Sequence, residues 1–223
     1  NQMRERDLYH PDTAGYRGAT IEDLKMLIQK GILPSKQVSE KVQEEETKSN
    51  LYFFPKASYQ PPEISQRNKD DEFFIEGAED YARISTGKIE FCKAAGLPLY
   101  DQNGFELASE LGNYSPQDVL FFLKGPIANH PDILSLRKAT GLTDDERISE
   151  ICKEVYKNLE KYKGVVFGIS KNVFTDYVMH KGDESDGDMF INISDGLNIK
   201  YITGLRLMGH GENGYLEEVK QKV

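Results

Sequence analysis

Residues 164–207 read GVVFGIS, KNVFTDYVMH, KGDESDGD, MFINIS, DG and LNIKYITGLRL in succession, and this stretch decides how the chain folds. The run 165–169 is continuous, apolar and rich in Val, Ile and Phe, the composition of a strand buried on both faces. Residues 189–193 and 197–207 read as two further strands, parted by a turn at Ser194, Asp195 and Gly196. A loop crowded with carboxylates precedes them. Asp188 stands where that loop becomes strand, a position from which one acid can be held over a cleft.

Upstream, residues 7–10 (DLYH) form a short strand candidate stopped by Pro11, and residues 12–19 read as a glycine-containing loop. Thr20 is placed to cap a helix whose first turn carries Glu22 and Asp23, the charge that the helix dipole favours there. Leu24, Leu27 and Ile28 share one face of that helix, and Gly31 is its C-cap. Residues 35–50 are polar and charged, a solvated helix or loop. Residues 51–54 (LYFF) form a second strand candidate ended by Pro55, and residues 60–71, with Pro61-Pro62, suit a linker.

From 72 to 163 the pattern is helical almost throughout. Phe73, Phe74, Ala78, Tyr81 and Ala82 recur at helical spacing, and Ser115-Pro116 opens another helix. Thr143 to Glu146 reads as a capping box ahead of the stripe Ile148, Ile151, Cys152, Val155, Tyr156 and Leu159. Strands at both ends with helices between them predict an α+β protein. Its sheet-bearing unit spans 1–60 and 164–223, interrupted by a helical insertion at 61–163.

The chain has 223 residues, enough for one core or for one domain carrying a large insertion. The 11 Phe and 12 Tyr argue against overall disorder in spite of the high charge. A net charge of −9 argues against non-specific nucleic-acid binding, which needs a basic surface to displace counterions. No apolar run approaches the roughly 18 residues of a membrane span, so the chain reads as soluble. The start, NQMRERD, has no apolar core after its charges, and no cleavable signal is expected there. Cys92 and Cys152 lie among apolar neighbours on helical patterns and read as reduced core residues.

Leu8-Tyr9-His10, a helix, Gly31-Ile32-Leu33-Pro34, then Leu51-Tyr52-Phe53-Phe54 with Ser58-Tyr59, resembles the opening of the ADP-ribosyltransferase fold. The branch it is similar to is the His-Tyr-Glu one, of diphtheria-type toxins and poly-ADP-ribose polymerases. Asp188-Met189-Phe190-Ile191-Asn192, followed by Asn198-Ile199-Lys200-Tyr201-Ile202, resembles the ending of that branch, with Asp188 at the position of its catalytic Glu. The resemblance covers 7–60 and 164–208. It implies a split antiparallel sheet with NAD+ as substrate. His10 would bond the adenosine-side ribose, and Tyr52 and Tyr59 would sandwich the nicotinamide, with Ser58 beside them. Asp188 would stabilise an oxocarbenium-like transition state of the kind met in glycoside hydrolysis.

The chain departs from the family pattern in places. His10 is followed by Pro-Asp rather than Gly-Thr, Asn50 rather than Gly precedes Leu51, and Tyr52 and Tyr59 stand closer together. Asp188 is one methylene shorter than Glu, and Glu184 in the preceding loop is the alternative acid. A shorter acid favours single transfer over chain elongation. The implied activity is mono-ADP-ribosyl transfer from NAD+ to a protein acceptor, by a bacterial effector or toxin acting in the cytoplasm or secreted into a host cytosol.

Two other readings stand beside it. One is a non-catalytic interaction protein that docks a partner through the helical insertion. The other is an NAD glycohydrolase with the same site and no protein acceptor. No metal is expected. The loop 182–188 has no bidentate Glu at the EF-hand distance, and His180, Asp183 and Glu184 lack the helical spacing of a zinc hydrolase. Nucleophile elbows and phosphate-binding glycine loops do not occur.

Overall fold

The computed structural model describes residues 8–35, 50–65, 70–95, 144–161, 163–182, 187–193 and 196–208. The expectations for residues 36–49, for helices between 96 and 143, for Glu184 and for 209–223 lie outside the described residues.

The protein is α+β. Its strands are β1 (Thr13–Ala19), β2 (Ile32–Leu33), β3 (Asn50–Pro55), β4 (Gly164–Ser170), β5 (His180–Lys181), β6 (Met189–Asn192), β7 (Leu197–Asn198) and β8 (Ile202–Met208). Six of them form one sheet in the order β5-β6-β3-β1-β4-β8, with every neighbouring pair antiparallel. The short strands β2 and β7 pair separately.

The described helices are α1 (Ile21–Lys30), α2 (Pro62–Ser65), α3 (Asp71–Ala95), α4 (Asp145–Lys161) and α5 (Asn172–Asp176). Thr20 caps α1 through a reciprocal box. Its hydroxyl accepts from the Asp23 N–H at 3.3 Å, while its own N–H donates to the Asp23 carboxylate at 2.9 Å. Gly31 closes the helix at φ 68°, as its position in the sequence predicts.

Three expectations are corrected. The first strand is not 7–10 but Thr13–Ala19, and Leu8 to Asp12 make the turn before it. Its glycines mark close approach rather than a loop: a Cβ on Gly15 would come within 2.7 Å of the Phe53 ring, and one on Gly18 within 1.9 Å of the Ala78 carbonyl. The run 197–207 is also not one strand. Asn198 Oδ1 accepts from the Lys200 N–H at 2.9 Å and turns the chain through a 3₁₀ segment, Ile199–Tyr201. Leu197–Asn198 therefore pairs with β2, and only Ile202–Met208 joins the main sheet. Finally, α4 takes its cap one residue later than expected, from Asp144, whose Oδ1 accepts from the Glu146 N–H at 2.9 Å.

Both faces of the sheet are covered. On one, Leu51, Phe53, Phe167 and Ile191 meet Leu24 and Leu27 of α1. On the other, Tyr16, Val166 and Met208 meet Phe74, Ile75, Ala78 and Ala82 of α3. Each large apolar side chain buried this way contributes about 1.5–3 kcal/mol. Helix α3 begins inside the segment expected to be an insertion, yet its first half is a layer of the sheet's own core. In the stripe of α4, Ile148, Ile151, Cys152, Val155 and Leu159 are buried and Tyr156 is half-buried, and α4 packs along α3. Burial pushes the Cys152 thiol up to about 12.

Candidate functional site

Strands β1 and β3 pair only at Gly15↔Pro55 and Tyr16↔Phe54. Beyond those residues the two strands part, and β3 continues against β6 as far as Asn50↔Asn192. The sheet is thus split along the β1–β3 seam. Arg17 of β1 occupies the split. Its Nη1 donates to the Tyr52 carbonyl at 2.6 Å, and its Nη2 lies 3.4 Å from the carbonyls of Pro34 and Ser35. The residue is 2% exposed, and Nε has no hydrogen-bond partner. Among the described residues no carboxylate pairs with it. A guanidinium stays protonated at any working pH, so a full positive charge is held here against a desolvation cost of several kcal/mol, about what burial of one ion costs. Chemically, this is a fork suited to an anion.

A second group lies on the α3 side of β3, β6 and β5. The register sets Tyr52 opposite Phe190 and Phe190 opposite His180. The rings follow: Tyr52 and Phe190 are 5.0 Å apart between centroids, and Phe190 and His180 stack at 5.1 Å with 18° between planes. All three are half-buried. Asn192 Nδ2 lies 3.4 Å from His180 Nε2.

Asp188 belongs to the same face, because side chains alternate along a strand and it stands two residues before Phe190. Its carbonyl accepts from the Gly182 N–H at 3.1 Å. Its carboxylate rests directly on Gly182, where a Cβ would come within 2.6 Å of Oδ1. The turn into Asp188 is anchored. Gly187 adopts φ 76°, and the buried Gln60 amide donates to the carbonyls of Gly187 and Pro55, both at 2.7 Å.

The remaining sequence candidates lie elsewhere. His10 sits in the turn three residues before β1, its Nδ1 accepting from the Asp12 N–H at 3.1 Å. Asp12 in turn pairs with Lys171 at 3.1 Å. Tyr59 stacks on Phe174, with 4.6 Å between ring centroids, and Phe174 packs against the α1-side core. Tyr52 points to the opposite face, so Tyr52 and Tyr59 do not face each other across a shared space. Ser58 is exposed in the 3₁₀ turn Ala57–Tyr59. Beside Phe174, the Tyr201 hydroxyl donates to Asp176 at 2.6 Å, a bond that raises the pKa of the phenol. Among the described residues, no three His, Cys, Asp or Glu side chains could hold a metal ion together, and no helix is long and apolar enough to cross a membrane.

Sequence reasoning missed Arg17 and the row that His180 completes. The signal for Arg17 was present in its apolar and small neighbours, Ala14 to Ala19, which mark a buried strand with one charge in it. No protein-family model, curated protein or solved structure matches this chain.

Proposed function

We propose that the protein is a mono-ADP-ribosyltransferase that transfers ADP-ribose from NAD+ to a protein acceptor, built on a split sheet of the ADP-ribosyltransferase type. The observation that carries this reading is the placement of Asp188 and Tyr52 on one face of adjacent strands, beside a split that holds a buried arginine with no carboxylate partner among the described residues. The nicotinamide stacks on the Tyr52–Phe190 surface, since aromatic rings favour offset or tilted faces. Arg17 projects to the α1 side of the sheet while Tyr52 and Asp188 face α3, so it lends positive charge to the cofactor at a distance, through the split, and not by contact. Asp188 stabilises the charge that develops at the ribose as the C1′–N bond breaks. In this role the protein acts as a bacterial effector or toxin.

Adenylate-labelled NAD+ incubated with a cell lysate tests the proposal, using wild type and Asp188→Ala. Wild type is expected to place label on a lysate protein, and Asp188→Ala to lose at least 100-fold of that signal, about what loss of electrostatic stabilisation costs. Free ADP-ribose without labelled protein would make the protein a glycohydrolase. No nicotinamide release together with no NAD+-induced rise in unfolding temperature would leave the non-catalytic, partner-binding reading.

A further inference from the structure

We infer that His180 is the catalytic base that removes the acceptor's proton, acting from the edge strand beside Asp188; this rests on the transferase reading above. His180 stands on the same face as Asp188 and belongs to the next cross-strand row. The Asp188 carboxylate lies over Gly182. From there to His180 is two residues along the strand, about 6.6 Å at the usual rise. In inverting glycosidases the two carboxyl groups stand roughly 6.5–9.5 Å apart, with the nucleophile between them.

The chemistry assigns the two roles. When the C1′–N bond breaks, its electron pair stays with the pyridinium nitrogen, and nicotinamide leaves neutral without needing an acid. The Asp188 carboxylate faces the positive charge that develops on the ribose. The acceptor's lone pair forms the new bond to C1′ as the C1′–N bond breaks, and the proton it carried goes to a base in the same step, so release of nicotinamide depends on that base. A neutral imidazole is suited to take it near neutral pH. The His180 ring is held for the task by its stack on Phe190, and its Nε2 lies 3.4 Å from the Asn192 amide. The Asn192 Nδ2–H is directed at Nε2, which marks Nε2 as the ring nitrogen that carries the lone pair. The carboxylate, one methylene short of Glu and settled on Gly182, is thereby relieved of reaching both donor and acceptor.

The test is nicotinamide release from NAD+ by wild type, His180→Ala, His180→Gln and Asp188→Ala, each with and without sodium azide. Azide is a nucleophile with no proton to lose, so it needs no base. Both His180 variants are expected to lose about 100-fold or more of the release, and azide should restore it with formation of ADP-ribosyl azide. Asp188→Ala should not be restored. The inference is overturned if His180→Ala and His180→Gln release nicotinamide at the wild-type rate, or if azide restores neither of them. If wild type itself releases none, the transferase reading fails and this inference with it.

Discussion

Arg17 joins the two themes of this protein at the scale of a single residue, a charge placed where the fold would ordinarily put an apolar side chain. Its fork satisfies the Tyr52 carbonyl that the parting of β1 and β3 leaves without a strand partner. Arg17→Ala should lower the unfolding free energy by about 1–3 kcal/mol, the cost of leaving a buried acceptor unsatisfied, and should reduce any NAD+-induced rise in melting temperature. A variant that kept its full NAD+ response would remove Arg17 from the site. Tyr16, its neighbour, points to the opposite face. Burial first, and the nearby Asp71 second, push its phenol up to about 12. The folded state thus favours neutral Tyr16, whereas the unfolded chain ionises near about 10. Its contribution to stability is complete below pH 10 and is lost as pH rises toward 12. Tyr201 is raised as well and acts in the same direction. Urea midpoints measured between pH 9 and pH 12 should fall, and they should fall less steeply in Tyr16→Phe. An unchanged slope would place the alkaline loss elsewhere.

Elements differ in how far the sequence alone discloses them. Helix α1 was legible because its cap, stripe and C-terminal glycine are all local signals, and the structure has each of them. Strand β1 was not, because two glycines among seven residues look like a loop until the neighbours that require them are known. Gly18 lets the backbone of α3 approach the sheet, with the Ala78 carbonyl where a Cβ would stand. Gly18→Ala should therefore cost about 3 kcal/mol or more, the upper range for an overpacked core, and should lower the thermal midpoint measured by circular dichroism. Near-wild-type stability would mean that α3 does not seat on β1 as described. The edge strand His180–Lys181 was missed because two residues carry no periodicity. Its partner strand β6 was legible, and with it Asp188. The facing of Tyr52 away from Tyr59 could not be read from spacing, since it depends on which side of the sheet the 3₁₀ turn packs.

Across the whole molecule, one layer of helix on each side of an antiparallel sheet leaves the β3–β6–β5 end as the place where polar and aromatic groups gather. Helix α3 covers the seam from β3 to β4, and the row from Tyr52 to His180 continues beyond it. A net charge of −9 sets the local positive charge of Arg17 against a chain that is acidic as a whole. Hydrogen–deuterium exchange with and without NAD+ addresses that arrangement most directly. The expected result is slowed exchange in the backbone of 50–55 and 187–192, with smaller changes at 14–19, and less of this in Arg17→Ala. Identical exchange in those segments with and without saturating NAD+, or protection confined to α4, would contradict a nucleotide site at the split of the sheet.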